Sequence, residues 1–493
     1  MPHALLIKTR RQAAPETGDG VSPPLGLMCL AAYARKQRPG KDQFTLVDER
    51  VHEKSDEEWD TFIEDTQPDC IAISALTVET DRLAVLVPHL KKRFPQIPLF
   101  LGGPHASSAG PEFLRQIPVN FLVAGEGENA FVCLLEMVEQ QLPHIEGKVS
   151  GLAYLNKAGE IVHWPRNQNL VDVEDLPIPA WDLIDLKDYQ HLPRMTPFNT
   201  KQAYAPLVTS RGCPYHCIYC HDIFAKKFRP MTARQVVDEI EYLITTYDIH
   251  EFEIFDDVFN LDKKRVLDIC REIKKRQLST AFTFPNGVRS DILDREVLEA
   301  LTSVGTYHIA FAVESATPRI QNLARKNIDL DKVRKNIGIA SDLGIFCWGF
   351  FMLGFPTESR REIWSTLRWA WASPLHGAFF FQVIPHEGTA LAKEFAQNRA
   401  MKKNGRNPDY FDAKGSMAQI GPLELWLTQS MAYLLFLMAP RRLWAIYRHA
   451  AHNGGRLSGT VYRFLDYLVL QKPKNLVQRI SGSLQTGLRG QHR

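Results

Sequence analysis

The chain has 493 residues, 45% of them apolar and 23% charged. That composition excludes a disordered or collagen-like protein and leaves room for two to four domains at roughly 100–200 residues each. The net charge of +3, from 59 basic and 56 acidic residues, offers no overall argument for nucleic-acid binding, although Arg441 to Arg493 holds ten Lys/Arg against one Asp, a local +9 that leaves −6 for the first 440 residues.

The opening Met-Pro-His-Ala-Leu-Leu-Ile-Lys lacks a signal-peptide pattern. Eight cysteines are too sparse for a disulfide scaffold, so the expected compartment is the cytoplasm, with reduced thiols. Strands are expected at Ala4–Ile7, Phe44–Val47, Cys70–Ser74, Leu99–Leu101 and Phe121–Val123. Helical patterns lie between them, among them Leu25–Arg35, Thr80–Phe94 and Asn129–Gln141. This alternation implies an open parallel sheet with helices on both faces, whose ligands bind at the strands' carboxyl ends. Residues 146–200 read as a linker carrying a small hairpin (Gly151–Leu155 and Ile161–Trp164) and an acidic, proline-rich passage.

Six further β/α units follow, with strands at Pro206–Ser210, Phe252–Asp256, Phe282–Asn286, His308–Val313, Phe346–Leu353 and Ala378–Ile384. They argue for a barrel or partial barrel with its active site on the loops after the strands. Beyond about residue 395 the patterns at Leu423–Met438, Arg441–Ala451 and Val461–Leu470 are helical. Ile420–Pro440 is apolar, but Glu424 and Gln429 interrupt it, and the uninterrupted part, Met431–Pro440, falls far short of the ~20 residues of a membrane span.

The chemistry concentrates at Ser210-Arg211-Gly212-Cys213-Pro214-Tyr215-His216-Cys217-Ile218-Tyr219-Cys220, directly after the first barrel strand. Thiolates select zinc or iron–sulfur. A [4Fe–4S] cluster normally takes four cysteines, so Cys213, Cys217 and Cys220 would leave one iron open. Zinc, with His216 or His221 as fourth ligand, is the competing reading.

This Cys-x3-Cys-x2-Cys loop, with Tyr219 before the last cysteine, resembles the radical S-adenosylmethionine (radical SAM) superfamily. The resemblance implies that the open iron chelates S-adenosylmethionine. One-electron reduction, from a donor such as flavodoxin or ferredoxin, would then cleave it to methionine and a 5′-deoxyadenosyl radical. It also implies cofactor contacts at Asp256 and Asp257, where the family often has Gly-Gly-Glu, and at Glu314. Gly349 and Gly354, in the fifth-strand pattern Gly349–Glu358, would let the backbone approach a ligand. Pro385-His386-Glu387-Gly388-Thr389 matches the sixth-strand loop, with Glu387 in place of the usual Pro. The plainer alternatives are a helix N-cap for the Asp pair and a salt bridge for Glu314.

In the first domain Ser74-Ala75-Leu76, Leu101-Gly102-Gly103-Pro104-His105 and Gly125-Glu126-Gly127-Glu128, together with Pro23-Pro24-Leu25-Gly26, resemble the cobalamin-binding domains fused to radical enzymes. Ser74, Leu76, Gly102, Gly103, Gly125 and Glu126 are the implied cofactor contacts. The Asp-x-His-x-x-Gly element that supplies a lower cobalt ligand is missing from residues 8–24. The implied architecture is α/β: a doubly wound, Rossmann-like cobalamin-binding domain (1–145), the linker (146–200), a partial (β/α)6 radical SAM barrel with its cluster (201–395) and a helical C-terminal region (396–493). The implied reaction is radical methylation of an unactivated carbon in a small, apolar substrate. Oxidative cyclisation, as in anaerobic magnesium-protoporphyrin ester cyclases, or rearrangement is the alternative, and a non-catalytic cobalamin or redox sensor the third. The basic C-terminal region suggests peripheral contact with a membrane surface; a solvated helix face is the plainer reading.

Overall fold

The computed structural model describes residues 1–12, 20–142, 145, 148–166, 170–196, 203–221, 223–395 and 416–452. The expected helix Val461–Leu470 and most of the basic tail lie outside them.

Strands β1 (His3–Lys8), β2 (Gln43–Asp48), β3 (Cys70–Ser74), β4 (Leu99–Gly102) and β5 (Phe121–Val123) run parallel in the order β2-β1-β3-β4-β5. Alternate residues serve two cores, as the strand period of two requires. Leu5, Ile7, Ile71 and Ile73 meet helices α2 (Asp56–Thr66) and α3 (Thr80–Arg93) on one face. Ala4, Leu6, Cys70 and Ala72 meet α1 (Leu25–Gln37) and α5 (Glu128–Glu139) on the other. A short α4 (Gly103–Ala109) follows β4. The hairpin is more than a linker element. Its strands β6 (Leu152–Leu155) and β7 (Ile161–His163) add antiparallel to β5 and extend this sheet to seven strands.

The second sheet holds β8 (Ala205–Leu207), β11 (Glu251–Ile254), β12 (Ala281–Val288), β13 (Thr306–Glu314), β14 (Phe346–Leu353) and β15 (Gly377–Gln382), parallel and in sequential order. The pair β9 (Ser210–Arg211) and β10 (Arg229–Pro230) stands apart from it. The expected strand 206–210 thus divides at Thr209, which turns its N–H and hydroxyl to Asp256. Helices α6 (Ala233–Tyr247), α7 (Lys263–Lys275), α8 (Arg295–Thr302), α10 (Leu330–Asp342) and α11 (Arg360–Ala372) form the outer layer, with α9 (Pro318–Leu323) and α12 (Ala390–Glu394) in the loops. The core between sheet and helices takes Phe252, Phe311, Phe351 and Phe380.

The sheet is open at β15, and an open edge presents unpaired backbone groups. Helix α13 (Pro422–Leu437) covers this one. The Phe380 N–H donates to Tyr433 Oη (2.8 Å), and the Phe380 carbonyl accepts from Tyr433 Oη (3.0 Å) and Gln429 Nε2 (2.6 Å). Helix α14 (Pro440–His452) follows. Its Arg441 and Arg442 donate to the carbonyls of Trp371, Ser373, Ala370 and Leu375, at and just beyond the end of α11. No helix among the described residues is long and apolar enough to cross a membrane.

Candidate active site

The cysteine loop leaves β9 at Gly212, with φ +82°. A Cβ there would lie 2.3 Å from the Lys227 carbonyl oxygen and 2.4 Å from that of Ala225, so glycine alone makes the turn. Further along, Ile218 is fully buried with Ile320, Ala324, Phe355, Val383 and Leu391. Its N–H donates to the Ala324 carbonyl (3.1 Å) and its carbonyl accepts from the Leu391 N–H (2.8 Å). The Tyr219 ring meets Phe355 edge-on at 6.0 Å, and the Arg289 guanidinium stacks 3.9 Å from the Tyr215 ring centre. The loop is therefore anchored through its non-cysteine residues. Cys213 and Cys217 are half-buried, Cys220 is exposed, and all three thiols are free. Among the described residues no three His, Cys, Asp or Glu side chains gather at metal-ligand spacing. Drawing three sulfurs together is coupled to the ion they bind.

The two aspartates expected as cofactor contacts part company. Asp256 is buried, and its carboxylate accepts from Thr209 N (2.6 Å), Thr209 Oγ1 (2.7 Å) and Ser210 Oγ (2.5 Å). Arg265 donates to the Thr209 carbonyl (2.6 Å). Asp256 is thereby a fastener for the strand end beneath the cysteines, and its oxygens are already taken. Asp257 faces the loop, with Oδ1 3.5 Å from His221 Nε2. Burial raises its carboxyl above the ordinary value, against the charges of His221 and Lys226. Glu314 ends β13 at φ +65°, a left-handed conformation that costs a non-glycine residue about 1–3 kcal/mol. Its carboxylate pairs with Lys326 (2.8 Å), and the pair is buried rather than a surface bridge. Glu314 also faces Tyr219: burial first and this carboxylate second raise the Tyr219 phenol well above its usual value.

The base of the loop is held from the other sheet. Arg211, the residue before Gly212, donates to Glu126 Oε2 (3.0 Å) and Glu128 Oε1 (2.6 Å), in the turn after β5. Arg229, opposite Arg211 in the β9–β10 pair, bonds the other oxygen of Glu126. All four side chains are largely buried. Although burial would raise it, Glu128 is held below its ordinary value by the Arg211 charge. A second contact joins the sheets at Gly388, after β15. A Cβ there would lie 2.7 Å from the Ser108 carbonyl oxygen on α4. Both contacts join carboxyl-end loops, β5 with β8–β9 and β4 with β15. The carboxyl ends of the two sheets therefore face each other, and the contacts sit at the two edge strands of the open barrel.

Comparison with known proteins agrees with this arrangement. Residues 16–135 match the B12 binding domain model and residues 207–370 the radical SAM superfamily model. The chain is 28% identical to an uncharacterized methyltransferase of Pyrococcus horikoshii over 89% of its own length and 93% of that protein's. It is 25% identical to the anaerobic magnesium-protoporphyrin IX monomethyl ester cyclase of Rubrivivax gelatinosus, over 71% of this chain but only 62% of the cyclase. Its fold matches the radical S-adenosylmethionine methyltransferase TsrM of Kitasatospora setae with a TM-score of 0.66, at 14% identity and 91% coverage of both chains. The chain joins a B12-binding domain to a radical SAM domain.

The residues present fit the family's groups. In the radical SAM domain three free thiols stand on a loop that its other residues anchor. In the B12-binding domain Leu76 is 38% exposed at the carboxyl end of β3, an apolar surface that a bound corrin tail would cover. Gly103 packs on Ser74, where a Cβ would come within 2.6 Å of Ser74 Oγ, and Gly102 has room for one. His105 is buried against Phe113 with Nδ1 3.4 Å from Thr77 Oγ1, an unsuitable posture for a cobalt ligand.

Four implied contacts have other occupations. Glu126 serves the clamp on Arg211 and Arg229, and the Gly125 N–H donates to Ser107 Oγ (2.8 Å). Gly349 is a packing glycine: a Cβ would lie 2.4 Å from Leu375 Cδ1 in the outer core. Gly354 makes room for α13, where a Cβ would lie 2.8 Å from Leu425 Cδ2. Glu128 and Arg229 were not among the expected site residues. Glu128 shares the Gly-Glu-Gly-Glu string with Glu126, but nothing local to either residue names its partner 80 to 100 positions away.

Proposed function

We propose that the protein is a cobalamin-dependent radical SAM methyltransferase that methylates an unactivated carbon of a small apolar molecule, drawing electrons from a flavodoxin- or ferredoxin-like donor. The observation that carries this reading is the opposition of the two carboxyl ends, clamped through Arg211, Glu126 and Glu128. In that arrangement the cluster and S-adenosylmethionine would supply a radical that removes a substrate hydrogen, and cobalamin a methyl group, from opposite sides of one space. Cys213, Cys217 and Cys220 would hold the cluster. Asp257 and Glu314 stand beside the loop as acceptors for a cationic amine. Phe350, Phe379 and Phe381 alternate along β14 and β15 with the outer-core residues Phe351 and Phe380 and are only partly buried. They offer an apolar wall that binds substrate by area and excludes water.

Reconstituted protein, dithionite, methyl-labelled S-adenosylmethionine and an apolar cell extract provide the test. The expected result is 5′-deoxyadenosine together with a labelled apolar product. 5′-Deoxyadenosine with an altered but unlabelled product would favour the cyclase-type reaction, in line with the cyclase relative. No consumption of S-adenosylmethionine would overturn the enzyme reading.

A further inference from the structure

Helices α13 and α14 have two unlike sides. The inner side is spent on the barrel: Leu425, Trp426, Gln429, Tyr433 and Phe436 are buried, as are Arg442 and Ala445. The outer side of α13 presents Leu423, Leu427, Met431, Leu434, Leu435 and Met438 at 41–64% exposure. Their spacing of three and four residues makes one continuous stripe. On α14 the stripe continues through Leu443, Trp444 and Tyr447, the last two 62% and 65% exposed and stacked at 5.6 Å. Nine of the fifteen large apolar side chains exposed among the described residues lie in these 25 positions. A concentration of that kind marks a surface that meets something other than water.

We propose that this face docks on an anionic membrane surface. Charge selects the occupant. The charged residues exposed on α14 are Arg441 and Arg448, and residues 453–493 add seven Lys/Arg against one Asp. A second copy of the same cationic face would be repelled, whereas an anionic headgroup layer is attracted. Residue type agrees: Trp and Tyr favour the headgroup level, Leu and Met enter the acyl boundary, and Arg reaches back to phosphate. The helices lie along the surface rather than across it, since neither is long enough to span. Docking would bring the barrel beside a bilayer, from which an apolar substrate partitions.

Flotation of the full-length holoprotein with vesicles tests this. Equal parts phosphatidylcholine and phosphatidylglycerol should carry the protein at low salt, and phosphatidylcholine alone at least about tenfold less. Leu434→Ser/Met438→Ser/Trp444→Ser, all at exposed positions, should lose anionic-vesicle binding by a similar factor with unchanged circular dichroism and cluster absorbance. Leu443→Ser/Tyr447→Ser, confined to α14, is the second variant and should weaken binding in the same direction. Wild-type protein that stays with neither vesicle, or variants that bind as well as wild type, would overturn the proposal. So would light scattering that finds a wild-type dimer dissociated by the triple variant, because the face would then belong to a second copy.

Discussion

Glu358 shows how a motif residue does work that its motif does not reveal. It is fully buried, and its Oε2 accepts from the Gly354 N–H (2.7 Å) and the Phe355 N–H (3.1 Å) as the chain leaves β14. Its other oxygen has no partner among the described residues, and burial, against the two amides, pushes the carboxyl up to about 8. The folded protein therefore keeps a proton on Glu358 that the unfolded chain releases near its ordinary 4.5. That contribution to stability is complete below about pH 4.5 and is lost as pH rises to about 8, at up to ~1.4 kcal/mol per pH unit. Glu358→Gln, which keeps the acceptor and carries no proton to lose, should gain on wild type across this window. Urea denaturation at several pH values measures it. A difference between the two proteins that stays flat from about pH 5 to 8 would show that the site is hydrated.

At the level of elements, the turn after β5 and the pair β9–β10 form one unit although some 85 residues separate them. A buried charge with two partners tolerates the loss of one poorly, at about 3 kcal/mol. Glu128→Gln should cost about that much in denaturant unfolding. It should also speed hydrogen exchange in residues 212–220, while a change at the exposed Glu57 should do neither. The strands themselves were legible in the sequence. β3, β5 and β14 fall on their apolar runs to the residue, because short, continuous apolar runs bounded by polar or turn residues leave little choice. The cysteine loop was legible because its ligands are local. The clamp, the packing of Gly349 on Leu375 and of Gly354 on Leu425, and the occupation of Asp256 were not. In each of these the deciding neighbour lies in another element, and a single sequence does not state who stands opposite whom. The hairpin was seen as a hairpin, but its edge pairing with β5 depends on a register set by the folded sheet.

Across the whole molecule, the two sheets meet at Arg211 beside the first barrel strand and at Gly388 beyond the last, so the B12-binding domain reaches the open barrel at both edges. Two contacts at separate edges fix an orientation that one contact alone leaves free to hinge. Gly388 has φ +84° with the Ser108 carbonyl in the way of any side chain. Gly388→Ala must therefore accept about 1–2 kcal/mol of left-handed strain or lift its loop away from α4. If the pair acts as a brace, Gly388→Ala and Glu126→Gln should each leave the domain arrangement close to wild type, and their combination should not. The double variant should show a larger radius of gyration by small-angle scattering. Because a 1 Å misplacement of reacting groups can cost on the order of 100-fold, it should also lose methyl transfer far more steeply than it loses S-adenosylmethionine cleavage, which needs the radical SAM domain alone. That non-additivity is the signature of two contacts sharing one task. Effects that simply add, or a methyl-transfer rate that falls only in step with cleavage, would mean that the domains are held by the rest of their interface and that neither contact sets the distance between the two cofactor sites.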